Sequence, residues 1–495
     1  MKLKKIYLNA PYLFIFFIIL LMSYSQTSLA QEPLTLERSL EIAMKNSPEI
    51  KRYQLNLERS QQLLNAQKAS LKSQFSLTLN PINYSLRRQF YNFLSKYYTS
   101  ETKQSTGTFS IQQPILWTDG TLALINEFGY IDSYSEYQDS KNKTYSNDLY
   151  LRFTQPFFTY NRTKLEFREL ELDLENSALN FSIQKLLLEY QVTQNFFNVY
   201  QQKAGLEISK DEFRNREQSY QIIKNKVEAG LDPQEELYQA ELDLTRSRSN
   251  VQNAQVTLEN YLDTFKRQIG LSLFDDITVT ADISHQPVEI DLQRALDNGL
   301  KYRMEIRQRQ IDVETAKYSL VRAAATNEFR GDVSVSYGVT GTDEQYKEIF
   351  SSPTKNQAVS LEFNIPLFDW GQKKSRVKAY EAMVQSSELS LDEEKKDITV
   401  EIRRAYRNLK NLVNQVEIAE QNVRNAQLTY DINLERYKNG DLTSMDLNLI
   451  QNQLSDAKLE KIRALINYKV ELLNMKVLSL WDFERNQRVV PEGIE

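Results

Sequence analysis

The sequence contains no cysteine and only one histidine, His285, among its 495 residues. Without cysteine the chain cannot form disulfide bonds, bind a metal through thiolates or use a thiol nucleophile. A lone histidine offers no pair of imidazole ligands, and we interpret it as a surface residue. We therefore expect no metal site, no cofactor and no catalytic residue, and we predict that the protein is not an enzyme.

Glycine and proline are also scarce, with 13 and 11 residues respectively. So few glycines leave no glycine-rich loop of the kind that cradles phosphates. The net charge is only −5 and the basic residues form no patch, which argues against a nucleic-acid partner. Carboxylate pairs such as Glu393 and Glu394 are followed by Lys395 and Lys396, a mixture typical of a solvated helix face.

Long apolar runs are missing except near the N-terminus, where one extends from Tyr12 to Met22 behind a basic start. This run is short for a membrane-spanning helix, and the Ser28-Leu29-Ala30 sequence after it resembles a signal-peptidase cleavage site. We predict that residues 1–30 are a secretory signal peptide. The predicted new N-terminus is a glutamine and not a cysteine, so we expect no lipid anchor there.

The stretches between glycines and prolines predict unusually long helices. Neither residue type occurs in 372–439 or in 441–490. A helix over the first stretch would be roughly 100 Å long at ~1.5 Å per residue. Residues in steps of three and four form one stripe along it, the period of helices that pack against each other over their length. The stripe consists of Ile398, Ile402, Ala405, Leu409, Leu412, Val416, Ala419, Val423, Ala426, Tyr430, Asn433 and Tyr437.

The chain is predicted to be a duplication of one structural unit. Leu36 and Glu49 have identical counterparts 256 positions later, and Pro156 and Gly230 have identical counterparts 210 positions later. The first copy therefore carries 46 more residues than the second, ahead of Leu149. We assign residues 31–271 to the first repeat, 272–288 to a polar seam, 289–490 to the second repeat and 491–495 to a C-terminal tail.

Each copy is interpreted as helix, strand, loop, strand, long helix, glycine turn and long helix. The predicted strands are about 74–84, 107–117, 120–130 and 147–157 in the first repeat, and about 332–340 and 358–368 in the second. The predicted helical hairpins are about 160–270, with a tip at 230–233, and about 372–480, with a tip at 440–444.

Alternation of apolar and polar residues marks the predicted strands. Val359, Leu361 and Phe363 alternate with Ser360 and Glu362, which is the two-residue period of a strand with one apolar face. A half-buried sheet would show the same pattern, but it would need a core, and the neighbouring sequence is long helix. Strands of outer-membrane proteins face lipid on one side and water on the other, and we favour that interpretation.

Four such strands are too few to form a closed β-barrel in lipid. Known membrane-spanning β-barrels have at least about eight strands, and an open sheet edge in lipid leaves backbone groups without partners. We therefore predict that several copies of the chain contribute their strands to one shared β-barrel.

The 46 extra residues of the first copy contain a further pair of alternating segments. Phe109 and Ile111 precede Asp119-Gly120, a tight-turn signal, and Leu124 follows it. The pair forms either an added hairpin of the membrane wall or a folded extracellular loop, and the sequence leaves both alternatives open.

A glycine follows the first long helix of each copy, Gly230 in one and Gly440 in the other. Glycine at this position can adopt the left-handed conformation that ends a helix, so we predict a helical hairpin tip at each. Asp232 is the predicted N-cap of the helix that follows the first tip. The helix after the second tip is expected to begin through Asp441, Thr443 or Ser444.

The order and spacing of these features resemble the TolC family of outer-membrane efflux proteins, over essentially the whole chain after residue 30. The resemblance rests on the duplication, on the strand-to-helix exits at Pro156 and Pro366, and on the tips at Gly230 and Gly440. It implies a mainly α-helical fold with membrane β-strands, a TolC-like duplicated helix, β-hairpin and helical hairpin. Three subunits would form a shared trimeric β-barrel and a long periplasmic α-helical tunnel.

The resemblance also implies a function and partners. The protein would be the outer-membrane channel of a tripartite efflux or type I secretion system, a passive exit duct in the outer-membrane lipid with a periplasmic extension. Its partners would be two further copies in a homotrimer, a periplasmic adaptor (membrane fusion protein) and an inner-membrane pump of RND, ABC or MFS type. Two alternatives are a periplasmic adaptor, which would lack duplicated membrane strands, and a fibrous coiled-coil scaffold, which would not explain the strands.

In the family, tip residues close the tunnel. Tyr437, Gly440 and Asp446 match the family pattern, whereas Leu442 and Leu449 stand where the pattern has an arginine and a second aspartate. Acidic residues repeated around a three-fold axis would form rings that favour cations and resist opening, or they would only complement the helix macrodipole. The candidate gate residues are Tyr437, Asp446, Glu235 and Glu236, and the candidate adaptor contacts are Gly230, Leu231, Gly440, Leu442 and Ser444.

Overall fold

The computed structural model describes residues 33–283 and 287–489. The predicted signal peptide, the single histidine His285 and the predicted C-terminal tail lie outside the described residues. The described chain divides into two units. The helical unit contains residues 33–50, 185–283, 287–289 and 405–477. The sheet unit contains residues 51–184, 290–404 and 478–489.

Long helices and long strands account for most of the described chain. The helices are α1 (Leu36–Asn46), α2 (Pro48–Ser70), α3 (Arg162–Glu228), α4 (Gln234–Ile269), α5 (Leu292–Tyr302), α6 (Met304–Ala324), α7 (Gln372–Lys438) and α8 (Ser444–Ser479). The strands are β1 (Gln74–Tyr91), β2 (Lys96–Ile115), β3 (Gly120–Ser135), β4 (Ser140–Phe157), β5 (Arg330–Asp343), β6 (Thr354–Asn364), β7 (Trp481–Asp482) and β8 (Gln487–Arg488).

The stripe predicted along α7 is the side of the helix that becomes buried. In the sheet unit Ile398 and Ile402 are fully buried, and in the helical unit Ala405, Leu409 and Val416 are buried as well. Leu428 and Ile432, which fall between stripe positions, remain exposed. Burial along one side therefore stabilises the helix. This agrees with its amphipathic pattern, in which the apolar stripe is too narrow for burial on all sides.

Two chain segments meet at a glycine in the helical unit. Gly270 ends α4 in the left-handed conformation, with φ of 76°. A Cβ atom at this position would lie 2.5 Å from the backbone oxygen of Asn46 at the end of α1. Only glycine satisfies both the backbone conformation and this close approach.

The sheet unit contains one six-stranded antiparallel sheet in the order β1-β2-β3-β4-β5-β6. Consecutive strands are neighbours throughout, so β1 and β6 are the two edges. A bulge lies between Asn80 and Asn83 of β1, next to Pro81. Proline has no N–H to donate to a neighbouring strand, and an edge strand with a bulge tolerates it.

The register of the sheet places the apolar residues of all six strands on one face. Residues that pair directly in an antiparallel sheet project to the same side. The apolar face carries Phe75, Leu77, Phe109, Ile111, Leu122, Leu124, Leu149, Leu151, Phe153, Val333, Val335, Val359 and Leu361. The opposite face carries mainly polar residues, among them Thr78, Thr108, Glu127, Arg152, Ser334 and Ser360.

The strand boundaries differ from the predicted ones at several points. β1 to β4 extend well beyond the apolar segments that the alternation identified, because polar and tyrosine-rich residues continue the pairing. β6 ends at Asn364 rather than near residue 368. Asn364 pairs with Arg330, the first residue of β5, so β5 offers no further residue with which Pro366 could pair.

None of the helices in residues 33–283 and 287–489 is both long enough and apolar enough to pass through a lipid bilayer.

Candidate functional site at the hairpin tips

Both long helical hairpins turn at a glycine in the left-handed conformation. The φ angles are 71° at Gly230 and 86° at Gly440. In each turn the glycine N–H donates to a carbonyl three residues earlier, and the next residue's N–H donates to a carbonyl five residues earlier, for example from Leu231 to Lys226 at 2.9 Å. This is the Schellman arrangement, and it satisfies carbonyl groups that a helix end otherwise leaves unpaired.

The helices that follow the two turns begin differently. At the start of α8 the Thr443 hydroxyl accepts from the Asp446 N–H at 3.2 Å and donates to the Asp446 carboxylate at 2.7 Å. Thr443 is therefore the residue that caps α8, and the Asp446 side chain bonds locally to this cap. At the start of α4 the N-cap is Pro233, with no side-chain cap. The prediction that Asp232 is the N-cap was wrong, because its carboxylate instead lies 3.9 Å from Lys226 Nζ.

A small apolar cluster joins the two hairpins at their tips. Ile223 of α3, Ala240 of α4, Tyr437 of α7 and Leu447 of α8 are buried together. One residue comes from each of the four helices, so the cluster is lost if the hairpins separate. Partly buried residues that pack around it are Tyr220, Ile222, Val227, Leu237, Tyr430, Leu434 and Leu442.

Tyr437 is the predicted gate residue at the centre of this cluster. It is 3% exposed, and its hydroxyl has no hydrogen-bond partner in the described part of the chain. Lys226 Nζ lies 5.2 Å from the centre of its ring, within the range of a cation–π interaction. Burial raises the pKa of Tyr437 to about 12, and the carboxylates of Asp232 and Glu236 act in the same direction.

Three polar contacts connect the first hairpin to the second beside this cluster. The Ser444 hydroxyl donates to the Glu236 carboxylate, linking α8 to α4. Asn448 Nδ2 donates to Asp243 at 2.9 Å. Arg216 of α3 donates through Nη2 to Asn452 of α8, also at 2.9 Å. All three contacts end on α8.

Arg216 is the tip residue that the sequence reasoning missed. It is 7% exposed, and its Nη1 has no hydrogen-bond partner among the described residues. The sequence contains a signal for it, because Arg216 falls in the apolar stripe of α3, seven residues before Ile223 and ten after Leu206. A charged residue at a stripe position is rarely buried without a specific partner.

The structure separates the remaining predicted tip residues into exposed and enclosed groups. Leu231 is 74% exposed, and Glu235 and Asp446 are exposed as well. Ser444 is only 9% exposed and Leu442 packs against the tip cluster. The two glycines face open space, because a Cβ atom at either position would meet nothing within 4 Å.

The strand-to-helix exits form a second site, in the sheet unit. Pro156 pairs with Asp332 near the end of β4, and Gln155 Nε2 donates to the Thr118 carbonyl at 2.6 Å. Asn161 caps α3, since its side-chain oxygen accepts from the Lys164 N–H at 2.7 Å. The β2–β3 turn therefore lies against the start of α3, a contact that no sequence pattern indicated.

Asp119 of that turn also contacts the start of α3. Its carboxylate accepts from the Thr163 N–H at 3.1 Å, from the Thr163 hydroxyl at 2.5 Å and from the Arg162 N–H at 3.2 Å. Burial by itself raises the pKa of Asp119, but the hydrogen bonds from Thr163 and Arg162 outweigh that effect and lower it. A carboxylate at a helix N-terminus is also favoured by the macrodipole.

Comparison with known proteins finds related sequences for parts of the chain. Residues 294–478 match the family described as outer membrane efflux protein. Over 269 residues the chain is 22% identical to the cation efflux system protein CusC of Escherichia coli, covering 53% of this chain and 57% of CusC. Over 252 residues it is 23% identical to protein CyaE of Bordetella pertussis, covering 50% and 52%. The chain thus spans little more than half the length of these curated relatives.

Solved structures show the same fold over most of the chain. The CmeC outer membrane channel of Campylobacter jejuni superimposes with a TM-score of 0.69 at 15% identity, covering 92% of this chain and 86% of CmeC. The predicted fold class is confirmed by this similarity, and the family match over residues 294–478 agrees with the predicted outer-membrane location. The family match over residues 294–478 and the fold shared with CmeC agree with the resemblance to the TolC family of outer-membrane efflux proteins that the sequence predicts.

Proposed function

We propose that this protein is the outer-membrane channel component of a tripartite efflux or type I secretion system. It acts as a passive exit duct, and three subunits join their strands edge to edge into one closed sheet, the shared sheet. The observation that carries the proposal is the apolar face that runs across all six strands of an outer-membrane efflux protein. The edges β1 and β6 supply the backbone groups through which subunits pair.

Exposure supports lipid as the surroundings of that face. Leu77, Val359, Leu361 and Phe363 are more than half exposed in the single chain, which is an unusual density of large apolar residues for a surface in water. The polar residues of the opposite face suit a water-filled interior. Neither a periplasmic adaptor nor a fibrous scaffold is expected to contain a sheet with one exposed apolar face.

The partners in this proposal are a periplasmic adaptor and an inner-membrane pump of RND, ABC or MFS type. One relative supports the efflux part of this range, because CusC is by name a cation efflux system protein. The tip surface for an adaptor consists of Leu231, Met445 and Leu449, which are 74%, 78% and 58% exposed. Ser444 is buried and Leu442 packs against the tip cluster, so we leave both out of this surface.

Reconstitution into a planar lipid bilayer tests the proposed function. We expect detergent-extracted outer-membrane protein to run as a trimer and to produce small, cation-preferring conductance steps. The trimer should dissociate on heating, which shifts its migration on gels. Recovery of the mature chain as a water-soluble monomer from the periplasmic fraction would contradict the proposal.

We further propose that the tip cluster and its three polar contacts are the closed state of the periplasmic gate. Glu236 and Tyr437 hold the hairpins together, whereas Asp446 bonds to Thr443 at the start of its own helix and Glu235 contributes only charge. The bond from Ser444 to Glu236, and the burial of Tyr437 among residues of all four helices, support this assignment.

The gate should loosen at alkaline pH. Tyr437 is buried in its neutral form, with its pKa raised to about 12 from an ordinary value of 10.0. Its contribution to tip stability is present below pH 10 and is lost as the pH rises through about 12, because the phenolate cannot stay buried. Protease cleavage near residues 228–234 and 438–444, followed against pH, measures the loosening.

Two tyrosine variants separate this effect from general alkaline unfolding. Tyr437→Phe keeps the ring but cannot ionise, so the cleavage transition should move to higher pH. Tyr238→Phe, at a tip position that is 64% exposed, is the matched control and should leave the transition in place. If the wild type and Tyr437→Phe show the cleavage transition at the same pH, ionisation of Tyr437 does not cause the loosening.

A further inference from the structure

Hairpin β2–β3 corresponds to most of the 46 residues that the first repeat has and the second lacks. It lies inside the sheet, with β1 on one side and β4 on the other, rather than folding over an edge. β2 pairs with β1 from Gln74–Gln112 to Tyr91–Lys96, and β3 pairs with β4 from Thr121–Thr154 to Ser135–Ser140. Each of the two strands therefore has partners along nearly its whole length.

The added hairpin continues both faces of the sheet without interruption. Phe109 of β2 pairs with Leu77 of β1, and Leu124 of β3 pairs with Leu151 of β4, so their side chains join the apolar face. Thr108 pairs with Thr78 of β1 on the polar face. In an extracellular loop, which is surrounded by water, the apolar residues would not need to align with those of the neighbouring strands.

The turn of the added hairpin is fixed at the base of α3. Asp119 accepts three hydrogen bonds from Arg162 and Thr163, and Asn161 Nδ2 donates to the Leu116 carbonyl at 2.6 Å. The Asp119 side chain is 7% exposed. Because β4 leaves the sheet for α3 at this point, the turn lies on the side of the sheet from which the long helices depart.

An exposed tryptophan marks the same turn. Trp117 is 90% exposed, and so is Trp370, which follows β6 just ahead of α7. Phe158 and Phe368, at the corresponding exits of the two repeats, are 66% and 72% exposed. Tryptophan and other aromatic residues concentrate at the interface between lipid and water. The added hairpin thus carries an interfacial residue at the level where both repeats carry theirs.

We propose that β2–β3 spans the outer membrane as part of the wall, so that the trimer's shared sheet has eighteen strands. The inference rests on the proposed function, since it requires three subunits to close one sheet. Six strands from each subunit replace the twelve-stranded pattern that four strands from each would produce. Since the diameter of a closed sheet grows roughly in proportion to its strand number, the outer end of the duct is about one and a half times as wide.

Single spin labels on the added hairpin test this placement in the full-length trimer in lipid vesicles. The chain has no cysteine, so each introduced cysteine is labelled uniquely. Phe109→Cys and Thr108→Cys report on opposite faces of β2. Leu361→Cys and Ser360→Cys are the matched pair on β6, which belongs to the ordinary strand set of the second repeat. Collision with oxygen reports lipid, and collision with a water-soluble nickel complex reports water.

The expected result is an alternation in both strands. Labels at Phe109 and Leu361 should collide several-fold more with oxygen than with nickel, and labels at Thr108 and Ser360 should show the reverse. The labels on β6 could alternate between oxygen and nickel collisions while both labels on β2 collide equally with the nickel complex. In that case the added hairpin is an extracellular loop and the inference is overturned. If neither strand alternates, the proposed function itself fails.

A strand count provides an independent measurement. A three-fold averaged electron cryomicroscopy map of the detergent-solubilised trimer, sectioned across the sheet, should show eighteen strands. Twelve strands in the section, with density for the hairpin elsewhere, would overturn the inference while leaving the trimeric duct intact.

Discussion

Glu236→Ala is expected to increase the conductance of the reconstituted channel, and Glu235→Ala is expected to leave it nearly unchanged. The two residues are neighbours of the same type in the first turn of α4, but only Glu236 accepts a hydrogen bond from Ser444 of the other hairpin. A hydrogen bond to a charged group contributes about 1.5–3 kcal/mol. Because Glu236 is only half-buried, we take the lower value, which corresponds to a roughly tenfold higher ratio of open to closed channels.

Ser444→Ala removes the other partner of this bond and should reproduce the increase. Asp446→Ala should have little effect on its own, because Asp446 bonds to Thr443 of its own helix start. The double variant Glu236→Ala with Asp446→Ala should therefore conduct about as well as Glu236→Ala alone. Equal increases for Glu235→Ala and Glu236→Ala would show that a ring of charge, and not the bond between hairpins, controls opening.

Leu361→Arg is expected to abolish most trimer assembly in the outer membrane, whereas Ser360→Arg is expected to be tolerated. The residues are neighbours on β6, and their side chains lie on opposite faces of the sheet. An arginine facing the middle of the bilayer costs about 2–4 kcal/mol, and the cost recurs in each subunit of a trimer. An arginine on the polar face meets water and neighbouring polar groups instead.

Heat-resistant migration on gels and the amount of protein in the outer-membrane fraction measure the effect. We expect at least a tenfold loss of trimer for Leu361→Arg and near-normal levels for Ser360→Arg. If both variants assemble equally well, the apolar face does not meet lipid, and the proposed arrangement of subunits is wrong. Comparable losses for both would point instead to a general intolerance of charge in β6.

The features that were predictable from the sequence are periodic and local. Helix α7 was expected because 372–439 lacks glycine and proline and because its stripe repeats in steps of three and four. The turns at Gly230 and Gly440 follow from the conformational freedom of glycine after a helix. The alternation of Val359, Leu361 and Phe363 predicted a two-faced strand because side chains in a strand project to alternate sides.

The features that escaped prediction depend on which distant segments become neighbours. Arg216 and Asn452 lie 236 positions apart and bond only because α3 and α8 pack side by side. Asp119 and Thr163 are brought together because β4 runs directly into α3 beside the β2–β3 turn. Single-sequence patterns carry no information on such pairs, since periodicity describes one element at a time.

By itself, the sequence predicted the long helices, the positions of both tips and the resemblance to the TolC family. Only the tertiary structure decided that the added hairpin lies within the sheet, and that Ser444 faces Glu236 rather than the outside. The physical reason is that a strand or helix specifies its own faces through its side-chain period. What each face meets depends on the pairing register and on helix packing, which are set by the whole chain at once.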